Sequence, residues 1–314
     1  MLTREIIDTW SLIDRPDSGG QVIADYFASQ ISRPELQPRV DRVDGDAHST
    51  DVVRWAIPGR AGKSSGGDAP TLAVVGRLGG TGVRPNKEGT VSDSDGAVIA
   101  IATALKLARA VEYGEPTSGD VEIITQICPS APIRDYPVRG QMDSPVPVDD
   151  LLQRFESPSS ADALISVDTT RSHYLLNHTG IAVTPTLING VIMRVSEDLM
   201  NLLAQVTSEP PVALPITMQD ITPISSGQFR INSIMQPGNY FDGPMIGLAS
   251  ISRHPIKGTT TGASRPENLE AGARFCVEAA RRFGRNELNF VDHQQYEAFT
   301  SQYGNFGFLV GRDH

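Results

Sequence analysis

The chain has 314 residues, of which 39% are hydrophobic and 20% are charged, so it is long enough to bury a large core. Its formal net charge of −10 argues against nucleic acid as a partner, because binding to phosphates requires clustered lysine and arginine. The sequence has no run of roughly 20 apolar residues that would span a membrane, and it does not start like a secretory signal. We therefore expect a cytoplasmic protein in which Cys128 and Cys276 form no disulfide.

Helical and strand patterns alternate along the chain. Apolar residues at helical spacing predict helices at 4–13, 21–30, 97–111, 196–206 and 266–283. Runs of β-forming residues predict strands at 52–57, 71–75, 121–127, 163–167 and 245–251, and the proline-rich segment 141–150 is predicted to be a loop. This alternation favours an α/β fold with three layers and a mostly parallel or mixed central sheet.

The connection between Gly82 and Asp93 is too short to hold a separately folded lid. We therefore predict that residues 1–314 form a single domain.

Polar residues follow several predicted strands, at the edge where open α/β sheets bind small molecules. Because strand ends are turns and turns are polar, any one of these residues is equally consistent with a structural role. Their convergence on one rim favours a site. The candidate residues are Arg77, Gly79, Gly80, Thr81, Gly82, Asp93, Asp95, Cys128, Asp168, Arg253, His254 and Thr260.

The candidates for substrate binding are the arginines, the glycine turn and Thr260. Arg77 and Arg253 offer planar donor groups that suit a carboxylate or a phosphate, and the backbone at 79–82 suits an anion. Asp95 and Thr260, which lies in a flexible turn rich in hydroxyl groups, would complete the binding surface. We expect Arg77 to be an exposed rim residue; the alternative is a structural pair between Arg77 and Asp93 or Asp95.

The candidates for catalysis are Asp93, Asp168, His254 and Cys128. His254 would serve as a general base oriented by Asp168, and the alternative is a partly exposed histidine before Pro255. Cys128 would serve as a nucleophile if a nearby cation lowered the pKa of its thiol, and the alternative is a small buried core residue.

The order of these motifs resembles that of the co-catalytic zinc exopeptidases, which include aminoacylases, carboxypeptidases and aminopeptidases. The segment LIDRPDSGG at 12–20 is similar to their opening helix and turn, and DSDG at 93–96 is similar to their bridging-aspartate turn. Asp168 and the Arg253-His254 pair resemble further ligand positions. The resemblance implies an exopeptidase-like fold.

Two departures from that pattern concern the metal ligands. RLG stands at 77–79 where these enzymes have His-x-Asp, and CPS stands at 128–130 where they have Glu-Glu. A zinc site needs about four ligands, so we expect no complete zinc pair. A single divalent metal ion held by Asp93, Asp168 and His254 is kept as an alternative.

A closer resemblance extends over nearly the whole chain. The phrases GGDAPTLAVVGRLGGTG, VSDSDGA, ICPSAP, SVDTT, VSEDL, ITMQDITP and TGAS resemble the bacterial family known as domain of unknown function 1177. This resemblance implies that the unusual residues at the ligand positions are that family's own pattern.

Together these features predict a hydrolase-like enzyme with a remodelled exopeptidase-type pocket. Its substrate would be a small amide, a peptide-like molecule or an amino-acid derivative. The alternative is a noncatalytic protein that binds a small molecule and has kept the fold without the metal site. Assembly into a homo-oligomer is left open.

Overall fold

The computed structural model describes residues 1–45, 48–77, 79, 90–129, 131–134, 141–172, 175–217, 231–253 and 264–304. The helices are α1 (Thr3–Ile13), α2 (Gly20–Gln30), α3 (Asp95–Glu112), α4 (Val148–Leu151), α5 (Glu197–Thr207), α6 (Pro266–Phe283) and α7 (His293–Tyr303). The strands are β1 (Arg39–Asp44), β2 (Ser49–Ile57), β3 (Leu72–Gly76), β4 (Val121–Ile127), β5 (Ile133–Arg134), β6 (Gln141–Met142), β7 (Ala163–Arg171), β8 (Gly180–Val183), β9 (Leu187–Ile188), β10 (Val191–Ile192) and β11 (Met245–Ser252).

A mixed sheet forms the centre of the fold. Its strands follow the order β1-β2-β4-β3-β7-β11-β9-β10, and β8 pairs with β11 outside this path. The central strands β4, β3, β7 and β11 are parallel, whereas β1, β2, β8, β9 and β10 join antiparallel. The carboxyl ends of the four parallel strands therefore meet at one edge of the sheet, which we call the carboxyl edge.

Two apolar clusters pack against the sheet, one on each face. The larger contains residues of α1, α2, α3, α5 and α6 together with one face of the central strands. The smaller packs the other face against segment 146–155 and the helical turn Ser233–Asn239. The predicted three-layer α/β fold with a mixed sheet is confirmed, and its second outer layer is built from short turns instead of long helices.

Helix α3 is buried along most of its length because its sequence is rich in alanine and aliphatic residues. Its first turn lies very close to the sheet. A Cβ added to Gly76 would lie 2.3 Å from the carbonyl oxygen of Gly96, and a Cβ on Gly96 would lie 2.6 Å from the carbonyl oxygen of Val167. Glycine is therefore required on both sides of this contact, which brings the start of α3 to the carboxyl edge.

The predicted long elements are confirmed to within a few residues, but two predictions were wrong. Strand β7 does not end at Val167; it continues to Arg171, so Asp168 is a strand residue. Segment 141–150 is not a continuous loop, because it contains β6 and the start of α4.

Both cysteines are buried, and neither forms a disulfide bond. Burial raises the pKa of Cys276 to about 12, although a hydrogen bond with Thr103 acts in the opposite direction. Among the helices of the described residues, none has the length and apolar character needed to cross a membrane.

Candidate active site at the carboxyl edge

Strand register places Arg77 next to Asp168. The parallel pairing of β3 and β7 ends with Gly76 opposite Val167, and the Arg77 backbone N–H donates to the Val167 carbonyl at 2.8 Å. Since side chains alternate between the two faces of a strand, Arg77 and Asp168 lie on the same face. The predicted convergence of these two residues therefore occurs.

Arg77 is not the exposed rim residue that we expected. Its side chain is 1% exposed, and its Nε lies 2.9 Å from Oε2 of Glu156 in an ion pair. Its Nη1 donates to the Ser233 carbonyl, and both Nη1 and Nη2 lie 3.3 Å from Oε1 of Gln236. The alternative interpretation, a structural pair between Arg77 and Asp93 or Asp95, is also wrong. The carboxylate that pairs with Arg77 is that of Glu156.

Asp168 is buried beside this pair, with 2% of its surface exposed. Its Oδ1 accepts from the Thr169 backbone N–H at 2.7 Å, and its Oδ2 accepts from the Ser233 hydroxyl at 3.1 Å. Ser233 thus contacts Arg77 through its carbonyl and Asp168 through its hydroxyl. These donors keep the Asp168 carboxylate in one orientation.

Asp95 occupies the first turn of α3, on the opposite face of the sheet from Arg77. Its Oδ2 accepts from the Ser250 hydroxyl at 2.7 Å, and its Oδ1 accepts from the Ser264 hydroxyl. Burial raises the pKa of Asp95 to about 6, while hydrogen bonds from Ser264, Ser250 and Thr169 oppose that rise. The carboxylate is therefore buried but well supplied with donors.

Asp93 lies in the 3₁₀ turn Ser92–Ser94 that leads into α3, and it is half-buried. Burial raises its pKa to about 7, and the charges of Asp168 and then Asp95 raise it further. Asp93 is therefore close enough to Asp168 and Asp95 to sense their charges, and the catalytic role predicted for it stays a prediction. A carboxyl with a pKa near neutrality is suited to both accepting and donating a proton.

Gly79 and Cys128 meet at the end of β4. The Cys128 backbone N–H donates to the Gly79 carbonyl at 3.1 Å, and a Cβ on Gly79 would lie 1.5 Å from the Gln126 carbonyl oxygen. Gly79 is therefore packed against β4. Cys128 is buried, with its Sγ 3.9 Å from the Ser49 carbonyl oxygen, and its role as a nucleophile stays a prediction.

Of the remaining candidates, only Arg253 lies within the described residues. Arg253 follows β11 and is exposed. Its role in binding stays a prediction. Gly80, Thr81, Gly82, His254 and Thr260 lie outside the described residues, so their predicted roles also stay predictions.

The described residues do not fit a pair of zinc ions. The Arg77 guanidinium has no lone pair for a metal, and its charge repels a dication. No group of three or more His, Cys, Asp or Glu side chains within the described ranges is arranged to hold a metal ion. The single metal ion at Asp93, Asp168 and His254 stays a prediction, because His254 lies outside those ranges.

Several polar partners in this site were missed by sequence reasoning. Glu156 ends a π-helical turn, and Gln236 and Ser233 belong to a helical turn far along the chain. The only sequence signal is a charged or amide side chain within an otherwise apolar segment, as in LLQRFE and IMQPGN. That signal indicates burial of a polar group without naming its partner.

Residues 41–312 match the family described as "Protein of unknown function (DUF1177)". The chain belongs to this family. The resemblance predicted from the sequence phrases is therefore confirmed, and a comparison with curated proteins gave no match.

The chain is also similar to solved structures at low sequence identity. The bottromycin maturation enzyme BotP in complex with Mn is 14% identical, with a TM-score of 0.53 over 90% of this chain and 71% of that one. A mutant of tomato leucine aminopeptidase is 14% identical, with a TM-score of 0.48 over 89% of this chain. This chain spans 61% of the length of the tomato chain. The similarity to BotP agrees with the predicted exopeptidase-like fold.

Proposed function

We propose that this protein is a hydrolase-like enzyme that cleaves a small amide, a peptide-like molecule or an amino-acid derivative at the carboxyl edge. The observation that carries the proposal is the position of Asp93, in the turn before α3, which is close enough to Asp168 of β7 and to Asp95 for their charges to raise its pKa. Asp168 in turn lies next to buried Arg77. Ligands of open α/β sheets bind at this edge. Such a pocket would take one small-molecule substrate.

Within this proposal, Asp93 is the general base. It is half-buried, whereas Asp95 and Asp168 are buried and held by hydroxyl or backbone donors. As a water oxygen bonds to the carbonyl carbon of the substrate, the Asp93 carboxylate takes the proton from that water. The C–N bond then breaks, and the same proton passes to the leaving amine. The pKa of about 7 supports both proton transfers.

The test uses purified protein and a panel of aminoacyl amides and dipeptides, with amine release as the measurement. Asp93→Asn is expected to lower kcat by about 100- to 10,000-fold, the usual contribution of general acid–base catalysis. Asp162→Asn, at the opposite edge of the sheet, is the matched control and should keep the wild-type kcat. Equal turnover by wild type and Asp93→Asn would contradict the role of Asp93.

A noncatalytic binding protein is the second candidate. The observation that favours it is the use of carboxylate oxygens of Asp95 and Asp168 by donors within the protein. This candidate predicts melting-temperature shifts with members of the same panel but no amine release. The two outcomes are distinguished in one set of samples.

The proposal also covers the domain organisation, the location and the assembly of the protein. We infer that residues 1–314 form a single domain without an inserted lid, in the cytoplasm, with assembly into a homo-oligomer left open. The support is the short distance in sequence between Gly76, where β3 ends, and Asp95, where α3 begins. Limited proteolysis yielding a stable fragment cut within 80–89 that folds separately would contradict the single domain.

A further inference from the structure

The buried guanidinium of Arg77 is not used by the proposed reaction. Its 1% exposure keeps it from direct contact with a substrate in this arrangement. Burying a charge is costly unless partners compensate for it, so a guanidinium in this position requires a set of acceptors. The described contacts supply that set.

Three groups from two segments surround the guanidinium. Glu156, at the end of the π-helical turn 152–156, forms an ion pair with Nε at 2.9 Å. The Ser233 carbonyl and the Gln236 side chain accept from the Nη atoms, and Gln236 is itself fully buried. Because these groups belong to two separate segments, the position of the positive charge is set by the fold.

The same contacts connect this charge to the aspartates. Ser233 accepts from Arg77 through its carbonyl and donates to Oδ2 of Asp168 at 3.1 Å through its hydroxyl. Strand pairing adds a second link, because the Arg77 N–H is bonded to the residue that precedes Asp168. Arg77 and Asp168 are therefore linked through Ser233 and through the β3–β7 pairing, whereas Glu156 is the carboxylate in direct contact with the guanidinium.

We infer that the Arg77 guanidinium, paired with Glu156 and linked through Ser233 to Asp168, is the resident cation of this site and stands in place of a divalent metal ion. A guanidinium offers no lone pair to a metal, and its fixed charge repels a dication that approaches Asp168. The inference concerns the charge of the site where the proposed reaction takes place, and it does not depend on turnover.

The experiment measures binding of Mn²⁺ alone by calorimetry and by its effect on Tm. Wild-type protein treated with a chelator should show no saturable binding at Mn²⁺ concentrations up to the millimolar range. The double variant Arg77→Met/Glu156→Gln removes both charges together, so neither is left stranded. It should bind Mn²⁺ saturably at concentrations at least about tenfold below the highest concentration at which wild type shows no binding, and its Tm should rise with Mn²⁺.

The matched control is a second Arg–Glu pair remote from the site. Arg109 Nη1 lies 2.7 Å from Oε1 of Glu5 between α3 and α1, with both side chains mostly buried. Arg109→Met/Glu5→Gln should respond to Mn²⁺ like wild type. If this control gains the same affinity as the Arg77 double variant, or if neither gains any, the inference is overturned.

Saturable binding of one Mn²⁺ per wild-type chain also overturns the inference, and this holds even if the double variant does not fold. If the double variant does not fold, the inference is supported when wild-type protein shows neither saturable binding nor a change in Tm at millimolar Mn²⁺. Amine release is not measured here, so a metal-binding wild type would leave the Asp93 test of the proposed function intact. Failure of the Asp93 test would likewise leave the metal titration unchanged.

Discussion

Asp120 and Asp162 precede β4 and β7 at the amino edge of the sheet, whereas Asp95 and Asp168 lie at its carboxyl edge. Burial acts to raise the pKa of Asp120, but hydrogen bonds from the Gly59 N–H and from the Ser64 hydroxyl and N–H lower it overall. At the carboxyl edge, burial raises the pKa of Asp95 instead.

Aspartates have different roles at the two edges of the sheet. Asp162 accepts from the Thr71 N–H at 2.7 Å and pairs with Lys63, so its charge stabilises the turn before β3. Asp93 is close enough to two other carboxylates for their charges to raise its pKa. Polar strand ends alone do not indicate function; carboxylates whose charge is disfavoured by their surroundings do.

The largest expected effect on stability comes from removing the Arg77 side chain at the carboxyl edge. Arg77→Ala should lower the free energy of unfolding by about 3–5 kcal/mol, because it strands the Glu156 carboxylate in a buried place. Urea denaturation measures this loss. Arg109→Ala is the comparison at a less deeply buried pair and should cost less. A loss below about 1 kcal/mol for Arg77→Ala would show that the guanidinium is accessible to solvent.

The second effect is a pH dependence that Asp93 imposes. Its folded pKa of about 7 lies above that of an aspartate in the unfolded chain, so the stability it contributes is fully present below the unfolded pKa and is lost as pH rises through about 7. Asp93→Asn should remove this loss, and the variant should be more stable than wild type at pH 8 by about 1–4 kcal/mol.

The measurement for Asp93 is the unfolding free energy at several values between pH 4 and pH 8, for wild type and variant. At pH 4 the two should have similar stability. Parallel curves for wild type and Asp93→Asn would show that this carboxyl does not titrate with a raised pKa.

A smaller effect of opposite sign is expected at the amino edge. Asp120→Ala should cost about 1–3 kcal/mol at pH 7, because it removes hydrogen bonds to a charged acceptor. The pKa of Asp120 is lowered, so its contribution is present above the unfolded value and is lost as pH falls through the folded pKa. Denaturation at pH 7 and at pH 3 should show the penalty shrinking in acid; a penalty that grows would reverse the assigned direction.

The smallest effect concerns the exposed pair at the amino edge. Lys63→Ala removes an ion pair with Asp162 whose side chains are 48% and 41% exposed, so it should cost about 0–1 kcal/mol. Thermal melts at low and high salt measure it. If Lys63→Ala lowered the free energy of unfolding as much as Arg77→Ala does, the expected difference in stability between the two edges would be contradicted.

The sequence by itself determined the long elements. Runs of apolar residues indicate buried strands and helices, so β3, β4, β11, α3 and α6 were predicted close to their observed bounds. Parallel strands bring their carboxyl ends to one edge, which places Arg77 beside Asp168. Short strands such as β9 and β10 were missed because two residues carry no period.

Only the tertiary structure decided how Arg77 is held. The local sequence around an arginine that follows a strand does not indicate whether its side chain is exposed or buried. Its exposure depends on which other segments of the chain cover it. Glu156 and Gln236 come from turns 79 and 159 residues later along the chain, and no local pattern links them to β3. Burial and charge pairing are properties of contacts between distant segments, so the sequence indicates which residues carry charge while the fold decides which charges meet.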